Sequence, residues 1–356
     1  MFYPLKFYNI YKDYIWGGRN LQKIGKELPE TGNVAESWEL SAHENGLSKI
    51  KNGEYEGLLF KDFIEKFGQQ AIGRELDSKF IEKFPLLIKF IDANDRLSVQ
   101  VHPNDEYAYI NENGELGKNE MWYIIHAEPG AKLVAGLASG VDKAAFEKSI
   151  KDGTLESCMN FMPVETGDFL NIPCGMVHAI GKGIIIAEVQ QSSNTTYRVY
   201  DYNRIGADGK LRELHIDKAL DVIDFSITQK SCHKSQGIQV DLTSKSNKNV
   251  KIANKYFCIE MYDVNDTVEE NADGSKFYVY MICSGSGRIS YEGGCTDIKS
   301  GETIFIPASL GRYTLEGNFK AVKAFVPDID KDVVEPLKKL GHSIDEISAK
   351  VDGLNQ

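Results

Sequence analysis

The amino-acid sequence predicts a mainly β protein in two units, with short helical insertions. Two observations carry this expectation. Short runs rich in β-branched and aromatic residues recur, many of them bounded by Gly, Asn, Asp and Pro clusters: LSVQV (97–101), MWYIIHA (121–127), GIIIAEVQ (183–190), TYRVYDY (196–202), KFYVYMIC (276–283) and TIFIPA (303–308). Strands at such close spacing build sandwiches or barrels rather than a parallel sheet of βαβ units. The second observation is an internal repeat. GDFLNIPCGMVH (167–178) and GETIFIPASLGR (301–312) place Gly and Pro at the same offsets around an apolar run. A turn glycine, a buried strand and a proline that stops the ladder describe one local structure made twice.

In chain order, residues 1–228 read as the first unit. Within it, 59–84 puts Phe60, Phe63, Ile64 and Phe67 at helical spacing and forms a helical insertion. Residues 141–151 predict a short helix with Ser139 or Asp142 as its cap, and 212–224 predict another. The polar stretch 229–251, rich in Ser, Lys, Asn and Gln, reads as a connector. Residues 252–328 form the second unit, and 329–356 a charged tail, helical in part. Gly285, Ser286 and Gly287 lack the third glycine of a dinucleotide fingerprint, lie in strand-rich sequence and read as a hairpin turn. With no G-x4-G-K-[ST] loop either, a kinase or nucleotide-dependent dehydrogenase is unsupported.

Composition narrows the function classes. Of the 356 residues, 42% are hydrophobic and 26% charged, a globular mix that excludes disorder. Lys and Arg number 41 against 52 Asp and Glu, so the net charge of −11 argues against nucleic-acid or anionic-membrane partners held by bulk charge. No run of about 18 apolar residues is present to span a bilayer. The opening MFYPLKFYNIYKDY lacks the apolar core and cleavage site of a secretory signal, so a cytoplasmic protein is expected. The six cysteines are scattered without a C-x-x-C pair, which points to neither a cysteine zinc site nor a disulfide framework.

The repeat also carries chemistry. Its first copy ends in His178 and resembles the second sequence motif of the cupin superfamily, whose final histidine binds a metal; its second copy has Arg312 there. The resemblance implies two cupin-like jelly rolls, with a metal site only in the first. Upstream, Gln100 and His102 are two residues apart on one strand, so both side chains project from one face. Glu120 stands immediately before MWYII. Gln100, His102, Glu120 and His178 therefore form a candidate ligand set. Two imidazoles and a carboxylate suit zinc, and equally an iron(II) facial triad. His43, His126, His215, His233 and His342 lack comparable partner motifs and read as structural.

Taken together, LSVQVHPND (97–105), GKNEMW (117–122), IPCGMVHA (172–179) and QQSSNTTYRVYD (190–201) resemble type I mannose-6-phosphate isomerase, in its short bacterial form. WGG (16–18) and ESWELS (36–41) are similar to that family too, and the likeness covers roughly 1–325. The resemblance implies one Zn2+ per chain, held by Gln100, His102, Glu120 and His178, and interconversion of mannose 6-phosphate and fructose 6-phosphate. It gives Arg198 the place of the family's essential arginine, Lys118 that of its lysine-x-glutamate lysine, and Lys89 that of a lysine near the cleft. One position departs from the pattern. Gly117 stands where many relatives carry a histidine considered for proton transfer, which leaves the base open.

Such an isomerisation moves a proton between C1 and C2 through a cis-enediol. Zinc and Arg198 are placed to stabilise the developing negative charge. Arg198 could instead grip the phosphate. Lys118 and Lys89 are candidates for phosphate binding, and Lys118 also for acid–base work. Ser98 alternates with Gln100 on one face and is a further substrate or phosphate contact. Glu188 and Asp201 are candidates for orienting Arg198 or moving a proton. The expected partner is a small sugar phosphate, and the expected state a monomer or homodimer. Two rival readings are an iron-dependent cupin dioxygenase, disfavoured by Gln100 in place of histidine, and a non-catalytic sugar-phosphate-binding cupin.

Overall fold

Apolar residues at alternate positions of short strands create two antiparallel sheets in the N-terminal half. The structure is a computed structural model and describes residues 2–206 and 209–354. The larger sheet runs in the order Phe169–Ile172, Glu120–Ala127, Ile184–Gln191, Leu86–Ala93, Glu36–Leu40, Ile10–Lys12. The smaller runs Met159–Pro163, Lys132–Leu137, His178–Ala179, Val99–Val101, Tyr197–Tyr200. Between them Ile91, Trp122, Ile124, Leu133, Ala135, Leu170 and Ile186 fill one core. The strands Leu86–Ala93 and Ile184–Gln191 are buried at every position, because the larger sheet is covered on both faces.

Its outer face meets the C-terminal jelly roll. Ile88, Phe90, Met121 and Val189 share a core with Phe257, Phe277, Val279 and Phe305. The helix Phe60–Phe67 inserts Phe60 into the same seam, with ring centroids 4.9 Å from Phe84 and 5.0 Å from Phe305. In the C-terminal sheet the long strands Tyr278–Tyr291 and Gly311–Phe325 pair along most of their length. A clasp joins the N-terminal segment to a strand of the C-terminal jelly roll. The backbone N–H of Leu5 donates to the carbonyl of Phe305 at 2.8 Å, and Phe305 returns the bond at 2.9 Å.

Several local expectations resolve differently. The region 59–84 is three short helices, Phe60–Phe67, Gln69–Ile72 and Lys79–Glu82, since Gly68 and Gly73 leave helical geometry. Of the two candidate caps for the next helix, Asp142 takes the role, accepting the N–H of Ala145 ahead of Lys143–Asp152. The third helix covers only Ile216–Val222. The stretch 229–251 is not simply a connector. It contains the strand Ile238–Asp241 and most of Asn247–Ala253, whose apolar residues Ile238, Val240, Val250 and Ile252 lie at alternate positions among polar neighbours. Gly285–Gly287 is not a hairpin turn either. It lies inside Tyr278–Tyr291 beside an irregularity in register between Ile282 and Ser284. A Cβ on Gly285, at φ +79°, would stand 2.1 Å from the carbonyl oxygen of Asn318, so glycine there serves close approach of two strands.

Candidate metal centre and active site

Strand register assembles the site in two facing rows. In the smaller sheet His178 pairs with Gln100, and Gln100 with Arg198. In the larger sheet Trp122 pairs with Glu188, Glu188 with Lys89, and Lys89 with Trp38. Glu120, two residues before Trp122, points the same way. A cavity of about 280 Å³ lies between the rows, lined by Ser98, Gln100, Lys118, Glu120, Glu188 and Arg198 among others.

At its floor lies Glu120, on which the buried His102 and His178 converge. Their ligand atoms all lie within 4.8 Å of one another and all three residues are buried. Nε2 of His102 is 3.2 Å from one Glu120 oxygen, and Nε2 of His178 is 3.9 Å from the other. Nδ1 of His178 lies 2.9 Å from the carbonyl of Met176, which fixes the tautomer with Nε2 free for a ligand. Burial, then the Lys118 ammonium, pushes the His102 pKa down to about 3; burial also lowers His178. Burial alone would raise Glu120, but Lys118 and His102 outweigh it and hold the carboxyl well below its usual range. Neutral imidazoles and an ionised carboxylate are the forms that bind a cation. Neither oxygen of Glu120 accepts an aligned hydrogen bond, so the donor set fits a divalent ion. The Gln100 amide nitrogen lies 3.3 Å from Nε2 of His178, and a ligand role would require its oxygen turned there instead.

The other expected residues surround this floor. Lys118 Nζ is 2.7 Å from Glu120 and 3.3 Å from Nε2 of His102. Lys89 is buried between Glu188 at 3.4 Å and Glu36 at 3.6 Å. Burial lowers its pKa, yet the two carboxylates outweigh that and raise it overall. Glu188 accepts a bond from the indole N–H of Trp122 at 3.1 Å. Burial first, and the Glu120 charge second, lift the Glu188 pKa to about 7. Arg198 donates from Nε to Ser98 at 3.3 Å and from one terminal nitrogen to the carbonyl of Glu213 at 2.8 Å. Asp201 orients arginines other than Arg198: it accepts from Nε of Arg212 at 2.7 Å and also binds Arg204.

The sequence reading missed some site residues. Arg212 lines the cavity with Arg198, although its periodicity assigned it to a helix; Tyr14 and Glu36 also line it. His215, read as structural, accepts the backbone N–H of Arg198 on Nδ1 at 3.1 Å. A larger, open concavity of about 760 Å³ lies around Glu270 and Arg312 in the C-terminal sheet.

Comparisons with known proteins agree with this geometry. Residues 5–123 match the model for the phosphomannose isomerase type I catalytic domain, and 246–326 the mannose-6-phosphate isomerase cupin domain. Mannose-6-phosphate isomerase ManA of Bacillus subtilis is 38% identical over 315 residues, covering 88% of this chain and 96% of its own. The mannose-6-phosphate isomerase of Streptococcus mutans is 34% identical over 86% of this chain and 93% of its own. A crystal structure of the Bacillus subtilis mannose 6-phosphate isomerase superposes with a TM-score of 0.83 at 31% identity, over 90% of this chain and 99% of that one. With His102, Glu120 and His178 converging inside the first of two cupin-type jelly rolls, the chain belongs to the type I mannose-6-phosphate isomerase family.

Proposed function

We propose that the cavity interconverts mannose 6-phosphate and fructose 6-phosphate through a cis-enediol, with one zinc ion per chain. The observation that carries this is the buried triad His102, Glu120 and His178, which meets through Glu120 a cavity lined also by the Glu188 carboxyl and two arginines. A zinc ion held there, with Gln100 as a further ligand, would supply a Lewis acid for the sugar oxygens at C1 and C2. Glu188 is our choice of base. Gly117 offers no side chain, whereas Glu188 faces the cavity and has its pKa near neutrality, where it can both take and return a proton. Trp122 and Lys89 hold that carboxyl in place.

Lys118, bound to Glu120 and His102, steadies the charge of the ligand set and sits where substrate oxygens arrive. Lys89 is better used on Glu36 and Glu188 than on a phosphate, since both carboxylates already claim its ammonium. Arg198, Arg212 and Ser98 line the cavity and provide the fork geometry that a phosphate or an enediolate oxygen requires. All six cysteines are free, which fits the reducing cytosol as the site of action. The direct test is to strip the protein with a chelator, restore zinc, add mannose 6-phosphate and follow fructose 6-phosphate. Turnover that vanishes and returns with the metal is expected; none after zinc is restored would overturn the proposal.

A further inference from the structure

The segment that delivers Lys118 and Glu120 has no regular structure before residue 120, yet it is held from both sides. One carboxylate organises it. Oδ1 of Asp105 accepts the backbone N–H of Gly117 at 2.8 Å and Nε2 of Gln191 at 2.9 Å. Gln191 in turn accepts on its side-chain oxygen both the backbone N–H of Asn119 at 3.0 Å and its Nδ2 at 2.7 Å. The side chain of Asn119 accepts the N–H of Cys174, four residues before the ligand His178, at 3.0 Å. Gly117 is pressed against this carboxylate's own backbone: a Cβ there would stand 2.5 Å from the nitrogen of Asp105.

The remaining oxygen of Asp105 is claimed from the other jelly roll. Tyr256 lies in the turn between Asn247–Ala253 and Cys258–Val264. Asn254 fixes that turn by accepting the N–H groups of Tyr256 and Phe257 at 2.9 and 3.0 Å. From it, the Tyr256 hydroxyl donates to Oδ2 of Asp105 at 2.8 Å. We infer that Asp105 and Tyr256 are positioning residues for Lys118 and Glu120, so that the C-terminal jelly roll acts on the reaction through one hydroxyl. Neither touches the cavity; both act by fixing the backbone of 117–119. The inference rests on the place given above to Lys118 and Glu120 in the reacting centre.

The test is a set of five variants, Tyr256→Phe, Asp105→Ala, Asp105→Asn, the double variant Tyr256→Phe/Asp105→Ala, and Lys118→Ala, each assayed for kcat, KM and bound zinc at 25 °C. Small displacements of catalytic groups cost up to about a hundredfold in rate. The expected result is a kcat lower by about three- to tenfold in Tyr256→Phe and about ten- to a hundredfold in Asp105→Ala, with KM and zinc content unchanged. Asparagine can accept from Gly117 and Gln191 and donate to Tyr256, so Asp105→Asn should stay within about threefold of the parent. Because Tyr256 works chiefly through Asp105, with Asn119 as a second contact, adding Tyr256→Phe to Asp105→Ala should cost clearly less than Tyr256→Phe costs the parent. Parental kcat in Tyr256→Phe, or a full second loss in the double variant, overturns the inference, and Tyr256→Phe removes only a hydroxyl, so it decides the matter even if Asp105→Ala fails to fold. Lys118→Ala separates the two levels of the argument. Parental kcat there removes Lys118 from the site and the inference with it, whereas an impaired Lys118→Ala beside a fully active Tyr256→Phe overturns the strut alone.

Discussion

Replacing Glu188 with glutamine keeps an acceptor for the Trp122 indole and removes the carboxyl proposed above as the base. General acid–base groups contribute about 10²–10⁴-fold, so kcat of Glu188→Gln should fall by that order while zinc stays bound, as read by turnover and metal analysis. For the parent, the rate should rise with pH through about 7 as this carboxyl ionises. His102 and His178 give a second pH effect. Their pKa values are depressed in the folded state, so the stability they confer is complete above the ordinary imidazole value of about 6.5 and is lost as pH falls toward the folded value, about 3 for His102. Chelated protein should therefore show a lower urea midpoint at pH 4.5 than at pH 7. How much of this is legible in sequence depends on the residue. Gln100 and His102 betray themselves by strand alternation, and Glu188 by being a lone carboxylate in the apolar run GIIIAEVQ. Arg212 gives no such sign, because Asp201 and the irregular chain around it, not a periodicity, bring it to the cavity.

At the scale of the element, the decisive features are places where backbones approach closely. Gly117 is the instructive case. Its Cβ would meet Asp105 at 2.5 Å and the Asn104 carbonyl carbon at 2.6 Å, so the departure from the family's histidine belongs with this particular packing of the loop on the helix Asp105–Asn111. Gly117→Ala should cost about 1–3 kcal/mol of stability in urea unfolding and lower kcat, because the displaced loop carries Lys118. The strands were readable from composition because their apolar faces meet real cores. The strands within 229–251 escaped notice because Ile238–Asp241 and Asn247–Ala253 expose polar side chains between their few apolar ones, and polar composition outweighed the alternation. The helical insertion at 59–84 is legible from periodicity, but its division into three helices is not, because the apolar spacing passes through Gly68 and Gly73, where the backbone leaves helical geometry.

For the whole molecule, the seam between the two jelly rolls is as apolar as either interior. Phe305 stacks against Phe277 of its own half at 5.5 Å and meets Phe60 of the inserted helix at 5.0 Å, so it ties the C-terminal jelly roll to the N-terminal half. Phe305→Ala should remove about 3–5 kcal/mol while leaving a single cooperative denaturant transition; two separated transitions would mean that the halves unfold independently.

The mutual pair of backbone bonds between Leu5 and Phe305 has a temporal side. Ribosomes emit residue 5 long before residue 305, so the earlier segment waits for its neighbour. Contacts this remote along a polymer form slowly. Emergence of the C-terminal jelly roll, rather than of the N-terminal half, sets the moment at which the opening segment is sealed.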